Sequence, residues 1–202
     1  MEIQGDVSED EVVAVFLKGE LGSQRFGAHI RQLLEQDGRG TGLVLHPNLQ
    51  SEEENLYRRS LLGLTRGFGM NRDLFERFPD DVRWKNARIP KEELERVKYI
   101  NYSYWNEISR GTRLPRDAAK RILNGDRAYG VGNDGFFEIL SAIKEKRALP
   151  RMILVAKSRR SRVVVLEGHA RLTAYFLAPD HIPRVMDVII GFSDRMPEWG
   201  LY

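Results

Sequence analysis

Cysteine is absent from the 202 residues, which removes disulfides, thiolate metal sites and thiol catalysis and fits a reducing compartment. No apolar run approaches the roughly 20 residues that span a bilayer, so no membrane partner is expected. The opening MEIQGDVSEDE is polar and acidic, unlike a secretory or transit segment; a cytoplasmic location is the expectation. Histidine is sparse, at positions 29, 46, 169 and 181 only. None of the four has another histidine or a carboxylate at metal-ligand spacing, so neither a protein-built zinc site nor haem is expected. A large charge excess is also missing. Lys+Arg 32 against Asp+Glu 29 gives a formal net charge of +3, which allows an anionic ligand but is not the basicity of a dedicated nucleic-acid binder. Repeats and low-complexity segments are lacking.

With 42% hydrophobic and 30% charged residues, the chain belongs to the globular class and can bury one good core, with or without a smaller helical unit. Ser8-Glu9-Asp10-Glu11 ahead of VVAVFL, and Ser51-Glu52-Glu53-Glu54, are capping boxes that predict helices starting there. Another helix is expected over 24–36, ending in DGRGTG, and LVLHP reads as a short strand or extended linker. DGRGTG lacks the Lys-Ser/Thr of a phosphate loop and follows a helix rather than a strand. An organisational boundary is placed near Pro79, giving a helical region 1–78 and a second unit 79–202. In the second unit VRWKNARIP predicts a strand, and helical patterns cover 91–99, 103–110, 115–124 and 134–147. After Pro150, MILVA, RVVVLE and MDVIIGF read as strands, with a helix at 170–177 between the last two. Strands alternating with helices indicate an α/β or α+β core.

The stretch VVVLEGHARLTAY (163–175) carries the most chemistry. A helix starting after Gly168 presents backbone N–H groups without intrahelical partners at the positive end of its dipole. Gly168 permits close approach, and His169 and Arg171 add donors; Arg171 can grip a phosphate bidentately. The result is either an anion site or a plain strand-to-helix corner.

The run FFEILSAIKEKRALPRMILVAKSRRSRVVVLEGHARLTAY resembles the core of the ParB/sulfiredoxin-like superfamily: helix, strand, turn, strand, then a Gly-x-x-Arg corner entering a helix. VRWKNARIP resembles that family's first strand. The resemblance covers 134–192 well and 81–90 loosely, does not reach 1–78, and treats 91–124 as a helical insertion. It implies an α+β fold with a small mixed sheet, and a nucleotide-phosphate site formed by Gly168, His169, Arg171 and Thr173. In such relatives the corner holds CTP in partition proteins, and ATP in sulfiredoxins and free-serine kinases. ATP or CTP, with Mg²⁺ carried by the nucleotide, is therefore the implied cofactor, and phosphoryl transfer to a small acceptor or nucleotide hydrolysis is the implied reaction. Glu167 and His169 are the catalytic candidates, with Asp187 a second carboxylate. Two departures matter. Where sulfiredoxins carry Gly-Cys-His-Arg, this chain has His169 and Ala170, and without cysteine the sulfiredoxin reaction is excluded. Partition proteins have paired arginines where only Arg171 stands here.

Two further constellations remain. Trp105, Ser109, Arg110, Thr112 and Arg113, next to Tyr99, Tyr102 and Tyr104, can form an acceptor-binding loop or simply core. KSRRSR, with Lys157, Arg159, Arg160 and Arg162, can contact a DNA or RNA backbone or be a solvated hairpin tip. A non-enzymatic nucleic-acid-binding or regulatory module is thus the alternative to a phosphate-handling enzyme.

Overall fold

The computed structural model describes residues 1–202 as an α+β fold. In chain order the elements are β1 (Glu2–Asp6), α1 (Glu9–Leu21), α2 (Gly27–Gln36), α3 (Gly42–Leu45), α4 (Glu52–Arg66), β2 (Arg83–Pro90) and α5 (Lys91–Leu94). There follow α6 (Ser103–Ile108), α7 (Pro115–Leu123), α8 (Asp134–Lys144), β3 (Met152–Ala156), β4 (Val163–Glu167), α9 (His169–Leu177) and β5 (Val185–Phe192). Short 3-10 turns connect several of them.

The strands form one mixed sheet in the order β1-β2-β5-β3-β4. Pairing is antiparallel except between β3 and β5, where Leu154 faces Ile190 in parallel register. Alternation along the strands sends side chains to two different cores. On one face Met152, Leu154, Ala156, Val165, Val188 and Ile190 pack with residues of α7, α8 and α9. On the other, Ile153, Val155, Val164, Leu166 and Ile189 pack with Phe16, Leu17, Ile30, Leu61 and Leu62 of α1, α2 and α4. Burial on both faces explains why β3 and β4 read as nearly continuous apolar runs.

Both capping serines act as expected, Ser8 Oγ accepting from Glu11 N–H at 3.2 Å and Ser51 Oγ from Glu54 N–H at 3.3 Å. Three local expectations are corrected. LVLHP is not extended, since Gly42–Leu45 form one helical turn. The helix expected over 91–99 stops at Leu94 because Lys98 is drawn to the outer edge of β4, its N–H donating to Val163 O at 2.9 Å. Residues 1–78 are not purely helical: Glu2–Asp6 pair with β2 as the edge strand, and α1, α2 and α4 cover one face of the sheet. The boundary near Pro79 therefore does not separate two cores.

Candidate functional site

At the end of β4 the chain turns through Gly168, whose φ of 100° lies in the left-handed region, and enters α9. A Cβ there would sit 2.8 Å from Met152 Cγ and 3.0 Å from Arg171 Nη2, so both the backbone and the space require glycine. Leu172 N–H bonds Gly168 O at 2.8 Å, closing the first turn of the helix.

The charged groups of the corner are already engaged. Arg171 is buried and its Nη2 donates to the buried Glu167 carboxylate one turn earlier. Beside them lies a second pair, the buried Glu20 of α1 and the half-buried Arg66 of α4, with Glu20 Oε1 and Arg66 Nε 3.1 Å apart. The two pairs meet because residue 19 is glycine: a Cβ there would lie 2.5 Å from Glu167 Oε1. Burial pushes the Glu167 carboxyl up to about 7, with Glu20 reinforcing the rise and Arg171 opposing it. Burial likewise raises Glu20 and lowers Arg66. Glu167 is thus a buried carboxyl that keeps its proton more readily than an exposed one, held on a guanidinium.

His169 does not face an open anion site. Its ring stacks on Trp105 at 5.0 Å between centroids, and Trp105 stacks on Tyr99 at 4.5 Å. His169 Nε2 is sealed from water without a partner. Burial, reinforced by Arg66 and Arg171, lowers its pKa to about 3, so the ring is neutral. Thr173 Oγ1–H donates to His169 O at 2.8 Å and lies 2.6 Å from Tyr99 Oη. Thr173 is therefore a buried bracket for the first turn of α9.

Open space lies on the flank of α9 instead. A cleft of about 400 Å³ is lined by Lys146, Arg147, Arg151 and Arg171, together with Tyr175, His181 and Asp187. Arg171 thus joins the corner to the cleft. Lys146 and Arg147 come from the link after α8, where Lys146 adopts φ 55°. Arg151 is steadied by Asn86 Oδ1 and by Glu11 Oε1, each at 2.5 Å. Arg147 Nε has only a solvated contact with Glu145 at 2.9 Å, a pair that contributes little. The cleft's only carboxylate, Asp187, lies 3.5 Å from Arg88 Nε. Three of the four cations have a carboxylate of their own, Arg147 at Glu145, Arg151 at Glu11 and Arg171 at Glu167, while Lys146 has none. The lining carboxylate Asp187 is in turn matched by Arg88, so the donors that an anion could engage at once are Lys146 and the solvated Arg147. No group of three or more His, Asp or Glu side chains converges in a way that could hold a metal ion.

The loop after Trp105 is structural where it is buried. Ser109 is fully buried; its Oγ–H donates to Trp105 O at 2.6 Å and its Oγ accepts Arg113 N–H at 2.9 Å. Arg113 holds Tyr99 O at 2.8 Å and Tyr202 O at 3.0 Å. Thr112 Oγ1–H donates to Ser109 O at 3.0 Å, and Arg110 is exposed in a left-handed conformation, φ 53°. None of the four lines the basic cleft. Lys157, Arg159, Arg160 and Arg162 stand exposed on the turn between β3 and β4.

The sequence reading missed Lys146, Arg147, Arg151, Tyr175 and His181. The basic run KEKRALPR (144–151) carried a signal for three of them. Glu20 and Arg66 carried none, because their partners at the corner lie far along the chain. No known protein family, characterised protein or solved structure matches this chain.

Proposed function

We propose that this protein binds a phosphorylated small molecule, first among them a nucleotide such as ATP or CTP, in the basic cleft on the flank of α9. The single observation that carries the reading is the convergence of Lys146, Arg147, Arg151 and Arg171 on one cavity of about 400 Å³. That volume lies within the range of small-ligand clefts, and charge-assisted bonds from Lys and Arg are the strong ones for phosphate. The order of elements around Gly168 supports a ParB/sulfiredoxin-like type, and through it phosphoryl transfer to a small acceptor or nucleotide hydrolysis. In such chemistry the protein contributes mainly positioning and charge neutralisation. Any Mg²⁺ would arrive with the nucleotide, which supplies most of its ligands and needs few from the protein. Glu167 does not line the cleft; it bears on the site only through Arg171, whose guanidinium it holds.

A thermal-shift series with ATP, CTP, GTP and their diphosphates, with and without Mg²⁺, tests the reading. A bound ligand at a hundred times its Kd adds about 2.7 kcal/mol. For a chain of this size that is roughly 5–10 °C. Lys146→Ala/Arg147→Ala removes two exposed cations and no core contact, so it should fold as the wild type does and lose most of the shift. No shift with any nucleotide in the wild type would end the proposal.

A further inference from the structure

The turn between β3 and β4 is organised differently from the cleft. None of Lys157, Arg159, Arg160 or Arg162 forms an ion pair. Yet the backbone carrying them is fixed. Ser158 N–H donates to Ser161 Oγ at 2.7 Å, and Ser161 Oγ–H donates back to Ser158 O at 2.8 Å. Tyr202 pins both ends, its Oη accepting Lys157 N–H at 3.2 Å and its Oη–H donating to Arg162 O at 2.5 Å. The Arg162 guanidinium lies over the Tyr202 ring, 4.4 Å from its centroid.

Positive charge continues beyond the turn. Arg113 approaches Arg162 through Tyr202, and its pKa falls to about 10 through burial first and the Arg162 charge second. Lys98, also free of ion pairs, sits on the segment added to the outer edge of β4, where Val165 N–H donates to Lys98 O at 2.8 Å. The exposed Tyr102 follows Asn101, whose N–H bonds Leu201 O at 2.8 Å beside the Arg113 guanidinium.

Like charges gathered on a fixed turn repel one another, and a chain of regularly spaced anions relieves that repulsion in a way one small ligand cannot. The exposed aromatic adds a face on which an unpaired base can stack. We infer that the surface formed by the 157–162 turn, Lys98 and Tyr102 binds the phosphodiester backbone of a single-stranded nucleic acid. The surface is separate from the cleft on α9.

Fluorescence anisotropy with a labelled oligodeoxythymidylate and an oligouridylate of about 20 nucleotides, between about 50 and 200 mM salt, tests this inference. Four phosphate contacts predict a slope of log K against log salt near −3, from about −0.7 per contact on single strands. Lys157→Gln/Arg159→Gln/Arg160→Gln/Arg162→Gln should lose nearly all of that slope. The control Arg77→Gln/Arg83→Gln, two exposed arginines elsewhere, should keep it. The cleft variant Lys146→Ala/Arg147→Ala should also keep it, so failure here and failure of the nucleotide proposal are distinguishable. No anisotropy change at the lowest salt, an unchanged slope in the quadruple variant, or loss of binding in the cleft variant would each overturn the inference.

Discussion

At one end of β4 the cations of the 157–162 turn stand in water without counter-charges; at the other, Arg171 is closed into a buried pair with Glu167. Both ends read in the sequence as arginine beside a strand terminus, but their physics is opposite. On the turn, the side chains are exposed and form no ion pair, and only Arg162 packs on a neighbour, the Tyr202 ring. At the corner, two charges have been taken out of water and each is tolerated only because the other is there. An arginine near a glycine is therefore poor evidence of a waiting phosphate clamp. What distinguishes a free cation from a structural one is whether another element delivers a carboxylate. Here β4 itself supplies Glu167, and glycine at position 19 lets α1 press Glu20 against the same cluster.

The comparison breaks most visibly at Arg171. Arg171→Ala removes the cation that opposes the rise in the Glu167 pKa, so the carboxyl takes up a proton and is left as a buried polar group without its partner, at an expected cost of about 1–3 kcal/mol. Chemical denaturation measures it, and the double variant Arg171→Met/Glu167→Gln should recover a large part of the loss. Gly168→Ala should cost about 2 kcal/mol, from the positive φ and the contact with Met152; an unchanged melting temperature would remove the claim that the corner requires glycine.

His169 is depressed from 6.5 to about 3 in the folded state. Its contribution is therefore present above pH 6.5 and lost as pH falls towards 3. Glu167 is raised from 4.5 to about 7, so its contribution is present below pH 4.5 and lost as pH rises to 7. His169→Phe, which keeps the stack on Trp105, should flatten the acid limb of a melting-temperature profile. Glu167→Gln should flatten the fall between pH 4.5 and 7. The smallest effect is expected on the turn: Arg159→Gln/Arg160→Gln should change folding stability by no more than about 0.5 kcal/mol.

Local signals were legible in the sequence where local chemistry decides the structure. Ser8 and Ser51 begin helices because each supplies an acceptor to N–H groups three residues on. The strands MILVA, VVVLE and MDVIIGF announce themselves because both faces of the central sheet are covered. Glu2–Asp6 gave no such sign, since an edge strand with only Ile3 half-buried has no apolar alternation to show. Val97–Tyr99 look helical in isolation and are claimed instead by pairing with β4. The glycine and arginine of the corner were recognisable; the basic run KEKRALPR, which supplies three of the cleft's four cations, went unread. That Arg171 bonds Glu167, that His169 lies against Trp105, and that Glu20 and Arg66 complete the cluster depend on contacts across the whole chain, for which no single stretch holds a pattern.

The central claim is that small phosphorylated ligands use the cleft on α9 and not the turn. Isothermal titration of ATP and CTP into the wild type, Lys146→Ala/Arg147→Ala and the quadruple turn variant tests it most directly. The account predicts saturable binding that weakens at least about tenfold in the cleft variant, equivalent to 1.4 kcal/mol, and is unchanged in the turn variant. Equal affinity in all three proteins, or a loss confined to the turn variant, would contradict it.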